Sequence, residues 1–350
     1  MGLHGTTLDS MSHFDEGILV TGSNGFIGAK VVEVLLKYGC RNIRCFVRPA
    51  SQRDRLNAIL LRLKAADKVK IVTGDLRTPA DCVRAVRDVS LVYHLAAGFG
   101  KSFDDAFTNS AVATQNLLEA FAAHGKPRRF VNVSSFAVYS NFRMERGAPL
   151  DEMSPIEESP EERFDAYTFG KVKQEEIVRD IGRARGIPFI ILRPGTVFGP
   201  GNRDLTGRIG FLVSRFFFHV GGSNQLPVTY VDNCAEAIVL AGMQPGIEGE
   251  TFNIVDDDLL TSRQFLDAYR KHVGRFLCFH VPYGAAYFFS ALCELCAKFG
   301  RPFPKRFNRR RCAAEWKGNR FSNNKLREQL GWKPRVPMNE AMKAFLEQFD

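Results

Sequence analysis

The earliest clear pattern in the chain is a short unbroken apolar run, Ile18-Leu19-Val20, that empties into glycines at Gly22, Gly25 and Gly28. From Phe26 to Tyr38 the apolar positions then recur at helical spacing. Runs of this length without polar alternation predict strands buried on both faces. The same reading predicts strands at Asn42–Arg48, Val69–Val72, Leu91–His94, Phe130–Val133 and Phe189–Arg193. Asp105–His124 places Ala106, Ala113, Leu117, Ala120 and Phe121 on one face, which predicts a single helix closed by Gly125 and Pro127. Another helix opens at Tyr167 and runs to about Arg185, and Tyr230–Leu240 with Thr251–Val255 read as a helix and strand returned to the sheet. Strands and helices alternating at this regularity predict an α/β fold, a doubly wound parallel sheet with helices on both faces.

The pattern also divides the chain. Residues 1–15 read as a flexible leader and 16–198 as a dinucleotide-binding domain, completed by about 224–258. Residues 199–223 and 259–350 read as a smaller substrate-binding domain. Two stretches break the rhythm. Residues 141–165 are rich in Glu and Pro and form a long loop at the carboxyl ends of the strands, where ligands bind in such sheets. Tyr283–Phe299 is unusually apolar, and Arg301, Lys305, Arg306, Arg309, Arg310 and Arg311 follow it at once. An interfacial helix needs such an apolar face beside cations, so 283–311 is a candidate for peripheral membrane contact.

Strand, glycine turn and helix open a dinucleotide-binding unit. One glycine turns the chain, one admits pyrophosphate to the backbone, and one packs helix on strand. With Asn24, Phe26 and Ile27, the three glycines make the expected phosphate cradle, where free N–H groups and the helix dipole favour negative charge. At the end of the second strand an NAD-preferring site usually holds an acid; here stands Arg48, whose guanidinium suits a 2′-phosphate. NADP(H) is therefore favoured, with NAD(H) as the other option. Asp75, beside Leu76, is placed to accept from an adenine amino group, and the small Ala96 and Ala97 let backbone lie close to the cofactor.

Tyr167 and Lys171 are four apart and share a helix face. A phenol titrates near ~10 in water and is a poor base at neutrality, but a nearby ammonium favours the phenolate. Ser135, at the end of the preceding strand, is placed to donate to a carbonyl oxygen that gains charge. Lys171 can also bind the nicotinamide ribose.

These stretches resemble the extended short-chain dehydrogenase/reductase superfamily, which includes the NAD-dependent epimerase/dehydratase and 3β-hydroxysteroid dehydrogenase families. The likeness is carried by Thr21–Gly28, Gly74-Asp75-Leu76, His94-Leu95-Ala96-Ala97, Val133-Ser134-Ser135, Tyr167–Lys171 and Leu192–Gly201. Thr229–Ile238 and Leu330–Pro334 resemble its later landmarks. The resemblance implies that Ser135, Tyr167 and Lys171 are catalytic and that Pro194 lies against the cofactor. Ser110 stands where the superfamily usually has Asn, and Phe136-Ala137 replace the Asp-Glu pair of sugar-nucleotide 4,6-dehydratases, which removes the machinery of water elimination.

The net charge of +10 is concentrated. Residues 272–335 hold fourteen Lys or Arg against three acids. No duplex-binding motif accompanies them, which favours an anionic small molecule or membrane surface over nucleic acid. Eight scattered cysteines suggest thiols in a reducing cytoplasm, with no metal-binding spacing. Cys293 and Cys296 read as helix core. The expected activity is hydride transfer between NADP(H) and a hydroxyl or ketone carbon of a partly apolar substrate. The alternatives are a nucleotide-sugar epimerase and a redox-sensing protein that holds NADP without turnover. A homodimer is compatible with this reading.

Overall fold

The computed structural model describes residues 15–98, 102–203, 206–274, 276–299, 304 and 307–349. Of the expected leader only Asp15 is among them, and Arg301, Lys305 and Arg306 of the basic segment also lie outside the described residues.

Seven parallel strands form the central sheet. Gly17–Thr21 is flanked on one side by Ile43–Val47 and then Val69–Thr73. On its other side come Val89–His94, Arg129–Val133, Phe189–Pro194 and Thr251–Ile254. The chain thus builds outward from the first strand in one direction, then returns and builds in the other. The reversal leaves a crevice between the ends of Gly17–Thr21 and Val89–His94, the place where such sheets bind ligands. Helices cover both faces, so strand residues are buried on both sides and apolar runs need no alternation. Phe26–Lys37 and Val231–Met243 pack together on one face; Pro79–Val86, Ala113–His124 and Ala166–Arg185 cover the other.

The single helix expected over 105–124 is instead three segments. Ser102 caps a short helical turn at Phe103–Ala106, a wider π-helical stretch spans Phe107–Val112, and a regular helix continues from Ala113 to His124. Within the wide turn the Thr114 hydroxyl donates to Ser110 O at 2.6 Å. The Ser110 hydroxyl in turn accepts from Gly98 N at 3.3 Å. Such bulges shift a helix face by a fraction of a turn, which periodicity along the chain cannot register.

A smaller C-terminal domain adjoins the carboxyl ends of the strands. Its apolar tract, which the sequence pattern does not resolve into strands, is a hairpin of Gly210–Val213 and Phe216–His219, with Leu277–His280 parallel to the second arm. Helices Ser262–Val273, Tyr283–Lys298, Arg309–Trp316 and Met338–Leu346 complete it, whereas Asn324–Leu330 packs Leu326 into the sheet core beside Thr251–Ile254. Asn233, on a helix of the sheet domain, accepts from Arg335 N and Val336 N and donates to Val336 O, which ties the last segment to the sheet. The 141–165 loop is pinned as well: the Asn141 amide donates to Ala313 O and to the Asn319 side chain, each at 2.9 Å.

Candidate active site

The glycine turn is shaped by backbone crowding. Gly22 has φ +67°, a left-handed conformation that suits glycine. A Cβ on Gly28 would lie 2.1 Å from Gly22 O, and one on Gly22 would lie 3.0 Å from Ala96 N. Gly25 caps the following helix with no side-chain bond and no acid in its first turn, which leaves the N–H groups at Phe26 and Ile27 for an anion. The Thr21 hydroxyl accepts from Ala96 N at 3.2 Å, so the turn and the Leu95–Ala97 backbone face each other across the crevice. Ala97 follows in the same partly buried stretch, and Pro194 ends a buried strand on the far side of Ser135. The N–H groups at Phe26 and Ile27, in a turn kept clear of side chains by its glycines, fit a dinucleotide pyrophosphate.

At the other end of the cradle Arg48 is exposed just past Ile43–Val47, and its side chain has no hydrogen bond or ion pair among the described residues. The Asn24 amide donates to Gln52 O at 2.9 Å and holds the adjoining loop against the turn. Arg77 grips both carboxylate oxygens of Asp75 and holds that carboxyl below its ordinary range. Asp75 is therefore already engaged, and Leu76 is buried in the core behind it.

Ser135, Tyr167 and Lys171 converge as the sequence places them. Asp165 caps the Ala166–Arg185 helix by accepting from Tyr167 N and Thr168 N. The Ser135 hydroxyl accepts from Ala137 N at 3.1 Å and shares a hydrogen bond with the Tyr167 hydroxyl. Burial raises the Tyr167 phenol above its ordinary value, and the Ser135 bond only partly offsets this.

Lys171 differs from the expectation that it would lower Tyr167. Its ammonium donates to Val133 O at 2.7 Å and to Gln174 Oε1 at 2.9 Å. Burial pulls Lys171 down to about 7, with Glu175 opposing. The Gln174 amide nitrogen in turn lies 2.9 Å from the Thr114 hydroxyl and 3.2 Å from His94 Nε2. His94 Nδ1 reaches the Thr21 hydroxyl at 2.8 Å. Burial, reinforced by the Lys171 charge, holds His94 down to about 3, so the ring is neutral. A closed polar chain thus runs from Lys171 to the end of the first strand. Sequence reasoning missed Gln174, Thr114 and Thr21, whose only signal was a polar side chain at a position expected to be buried. Beneath it, Arg193 pairs with both oxygens of Glu175 at 2.9 and 2.6 Å and donates to the Tyr139 hydroxyl at 3.0 Å.

The basic segment also differs from expectation. Arg309 pairs with Glu294, Arg310 with Glu157 and Glu162, and Arg311 with Glu315. The three described cations of the proposed collar therefore serve the chain's own acids.

Residues 18–254 match the sequence pattern of the NAD dependent epimerase/dehydratase family. The chain is 23% identical over 356 residues to 3beta-hydroxysteroid-dehydrogenase/decarboxylase isoform 2 of Arabidopsis thaliana, covering 95% of this chain and 61% of that protein. It is 26% identical over 341 residues to 2-alkyl-3-oxoalkanoate reductase of Stenotrophomonas maltophilia, covering 93% and 97% of the two chains. Among solved structures, UDP-glucuronic acid 4-epimerase of Bacillus cereus, in complex with UDP-glucuronic acid and NAD, superposes with a TM-score of 0.71. That likeness, at 22% identity, covers 95% of this chain and 98% of the other.

Proposed function

Because the chain belongs to the NAD-dependent epimerase/dehydratase family and is an enzyme of the extended short-chain dehydrogenase/reductase type, we propose that it moves hydride between NADP(H) and a hydroxyl or ketone carbon of a partly apolar substrate. The observation that carries this reading is the Ser135–Tyr167 hydrogen bond one helical turn from the anchored Lys171. The nicotinamide cofactor, when bound, supplies or accepts the hydride. Gly22, Gly25 and Gly28, with the N–H groups at Phe26 and Ile27, would hold its pyrophosphate; Ala96, Ala97 and Pro194 would line its path.

Tyr167 gives a proton to the substrate oxygen in reduction and takes it back in oxidation. Its raised value keeps the hydroxyl protonated at neutrality, which suits the donor role. Ser135 donates to the same oxygen as charge develops. Lys171 has three donors, of which two are engaged by Val133 O and Gln174, leaving one for a ribose hydroxyl. A positive charge on Lys171 favours the phenolate and so eases transfer of the Tyr167 proton to the substrate oxygen.

NADP preference rests on Arg48, unpaired at the rim beside Asp75. Calorimetry should show tighter NADP than NAD binding in the wild type and a reversal in Arg48→Asp; wild-type preference for NAD contradicts this. The nucleotide-sugar epimerase reading is favoured by the likeness to an epimerase fold. Denaturing the purified protein and assaying the supernatant separates the two: a reductase releases its cofactor during purification, whereas an epimerase retains about one nicotinamide per chain.

The exposed Tyr283–Lys298 helix supports peripheral membrane contact. That helix buries Ala286, Ser290 and Cys293 and turns Phe288, Leu292 and Leu295 outward. No described helix is long and apolar enough to cross a membrane. The contact we propose is through this apolar face, with a homodimer across the same face as the competing outcome. The eight cysteines are free, which supports a reducing compartment such as the cytoplasm.

A further inference from the structure

The groups around Lys171 fix more than its place. Its ammonium donates to Val133 O at 2.7 Å, a backbone acceptor at the end of a buried strand. One such bond still lets the ammonium rotate about the line joining the two atoms, so its other two N–H groups keep no set direction. A second acceptor removes that freedom. It is Gln174 Oε1, 2.9 Å away and one helical turn along. The neighbouring carboxylate does not compete for this position, because Arg193 holds both oxygens of Glu175, at 2.9 and 2.6 Å.

The Gln174 carboxamide has only one way to face. Its nitrogen lies 2.9 Å from Thr114 Oγ1 and 3.4 Å from Ala96 O. A carbonyl can only accept, and the Thr114 hydroxyl gives its proton to Ser110 O at 2.6 Å, so it accepts here as well. Turning the amide over would set its oxygen against two acceptors and its NH2 group against the ammonium. Gln174 and Thr114 are fully buried and Lys171 nearly so, and solvent therefore does not relieve such a mismatch. The neutral His94 ring, 2.9 Å from the same Thr114 hydroxyl and 2.8 Å from Thr21 Oγ1, ties the amide to the end of the first strand. The oxygen that meets Lys171 is thus held from behind by three other elements.

We propose that Gln174 is a positioning residue for Lys171, which together with Val133 O aims the remaining N–H of the ammonium, the one left for the nicotinamide ribose. This rests on the hydride-transfer reading above and adds the side chain that gives Lys171 its direction. A side chain at 174 that only filled space would leave the ammonium with one anchor and a free rotation.

The test is calorimetry on the full chain with NADPH and, as control, adenosine 2′,5′-bisphosphate, which has no nicotinamide ribose. Gln174→Met keeps the length of the side chain and removes the acceptor. NADPH should then bind about tenfold or more weaker, with the bisphosphate within about twofold of its wild-type affinity. Gln174→Glu keeps an acceptor oxygen and should return NADPH to within about threefold of the wild type. In a Lys171→Met background there is nothing left to aim, and Gln174→Met should add no further loss. Thr114→Val removes the acceptor behind the amide without touching Lys171. It should weaken NADPH alone, by about threefold, and it tests the proposal even where Gln174→Met folds poorly. Wild-type NADPH affinity in Gln174→Met or Thr114→Val overturns the proposal. So does an equal loss for both ligands, which marks a general disturbance of the cofactor site. A full further loss in the Lys171→Met background overturns it too, because Gln174 would then act apart from Lys171. Deuterium transfer from labelled NADPH in the same preparations separates the two readings. Hydride transfer by a wild type whose NADPH affinity ignores Gln174 overturns the positioning role alone. A Lys171-dependent, NADPH-selective loss in a protein that transfers no hydride supports the positioning role and contradicts the hydride-transfer reading.

Discussion

Leu19, Val20 and Val92, in the parallel sheet, are 0% exposed, whereas Phe288, Leu295 and Phe299, on and just past the Tyr283–Lys298 helix, are 72%, 51% and 77% exposed. Both stretches read as apolar in the sequence. In the sheet, large side chains point inward from both faces and meet helices on either side. The helix does the reverse over most of its length: Ala286, Ser290 and Cys293 face inward, a stripe of small groups, and Phe288, Phe289, Leu292 and Leu295 face out, while Tyr283 and Tyr287 pack partly buried beside Ala286. Apolar content therefore does not decide burial here. What decides it is whether another element of the same chain is available to cover the residue. An apolar surface of this kind on an otherwise packed molecule marks a contact site.

The largest effect should come from the packed half, at its chemical end. Tyr167→Phe keeps the ring and removes only the hydroxyl, so turnover should fall ~10²–10⁴-fold while cofactor affinity and melting temperature hold. Steady-state kinetics and calorimetry on the same preparation check this, and near-wild-type turnover would assign the proton to another group.

Two truncations read by urea unfolding separate the buried sheet from the exposed helix face. Leu19→Ala, in the sheet, should cost ~2–5 kcal/mol because the surrounding structure cannot collapse into the cavity. Leu295→Ala, on the exposed helix face, should stay within ~0.5 kcal/mol. Comparable costs at the two sites would mean that the helix face is covered in solution.

A smaller effect concerns pH. His94 is held neutral by burial, down to about 3 from its ordinary 6.5. Between those values the unfolded chain binds a proton that the folded chain does not. Stability from this site is therefore fully present above about 6.5 and is lost as pH falls toward 3. The slope is up to ~1.4 kcal/mol per pH unit. His94→Asn should flatten stability against pH between 5 and 6.5, whatever its effect at neutrality. An unchanged slope would show that His94 takes up its proton in the folded state.

The smallest effect is on lipid. Changing Phe288, Leu295 and Phe299 to Ser should lower co-sedimentation with liposomes about tenfold, through lost apolar burial. Arg309, Arg310 and Arg311 are committed to Glu294, Glu157, Glu162 and Glu315, so salt should matter little. Binding that vanishes in salt but ignores the three Ser changes would return the contact to cations.

Much of the fold was legible because its signals are local. Buried strands appear as unbroken apolar runs, and the Gly22 turn appears as glycine spacing, since both depend on neighbours within a few residues. The placing of Ser135 past a strand end, and of Tyr167 and Lys171 one helical turn apart, was legible for the same reason. The partners of Lys171 were not. Gln174, His94, Thr114 and Thr21 come from four elements and meet only after the sheet has formed. Counting charge along the chain failed at Arg309–Arg311 for a related reason, because their acids lie as far away as Glu157 and cannot be seen as pairs in the sequence. The π-helical turn at Phe107–Val112 left no signal in the periodicity, since one extra residue in a turn resembles ordinary scatter.

The central claim is that hydride moves to or from a substrate carbonyl carbon at Ser135 and Tyr167. It is tested most directly by incubating the wild-type protein with 4-deuterated NADPH, both faces in turn, and a panel of apolar 3-oxo acids and their esters, followed by mass spectrometry of the alcohols. The account predicts one deuterium at the new carbinol carbon from one face of the cofactor only, and none with Tyr167→Phe on the same time scale. Cofactor binding by a folded protein that transfers no deuterium to any member of the panel would contradict it.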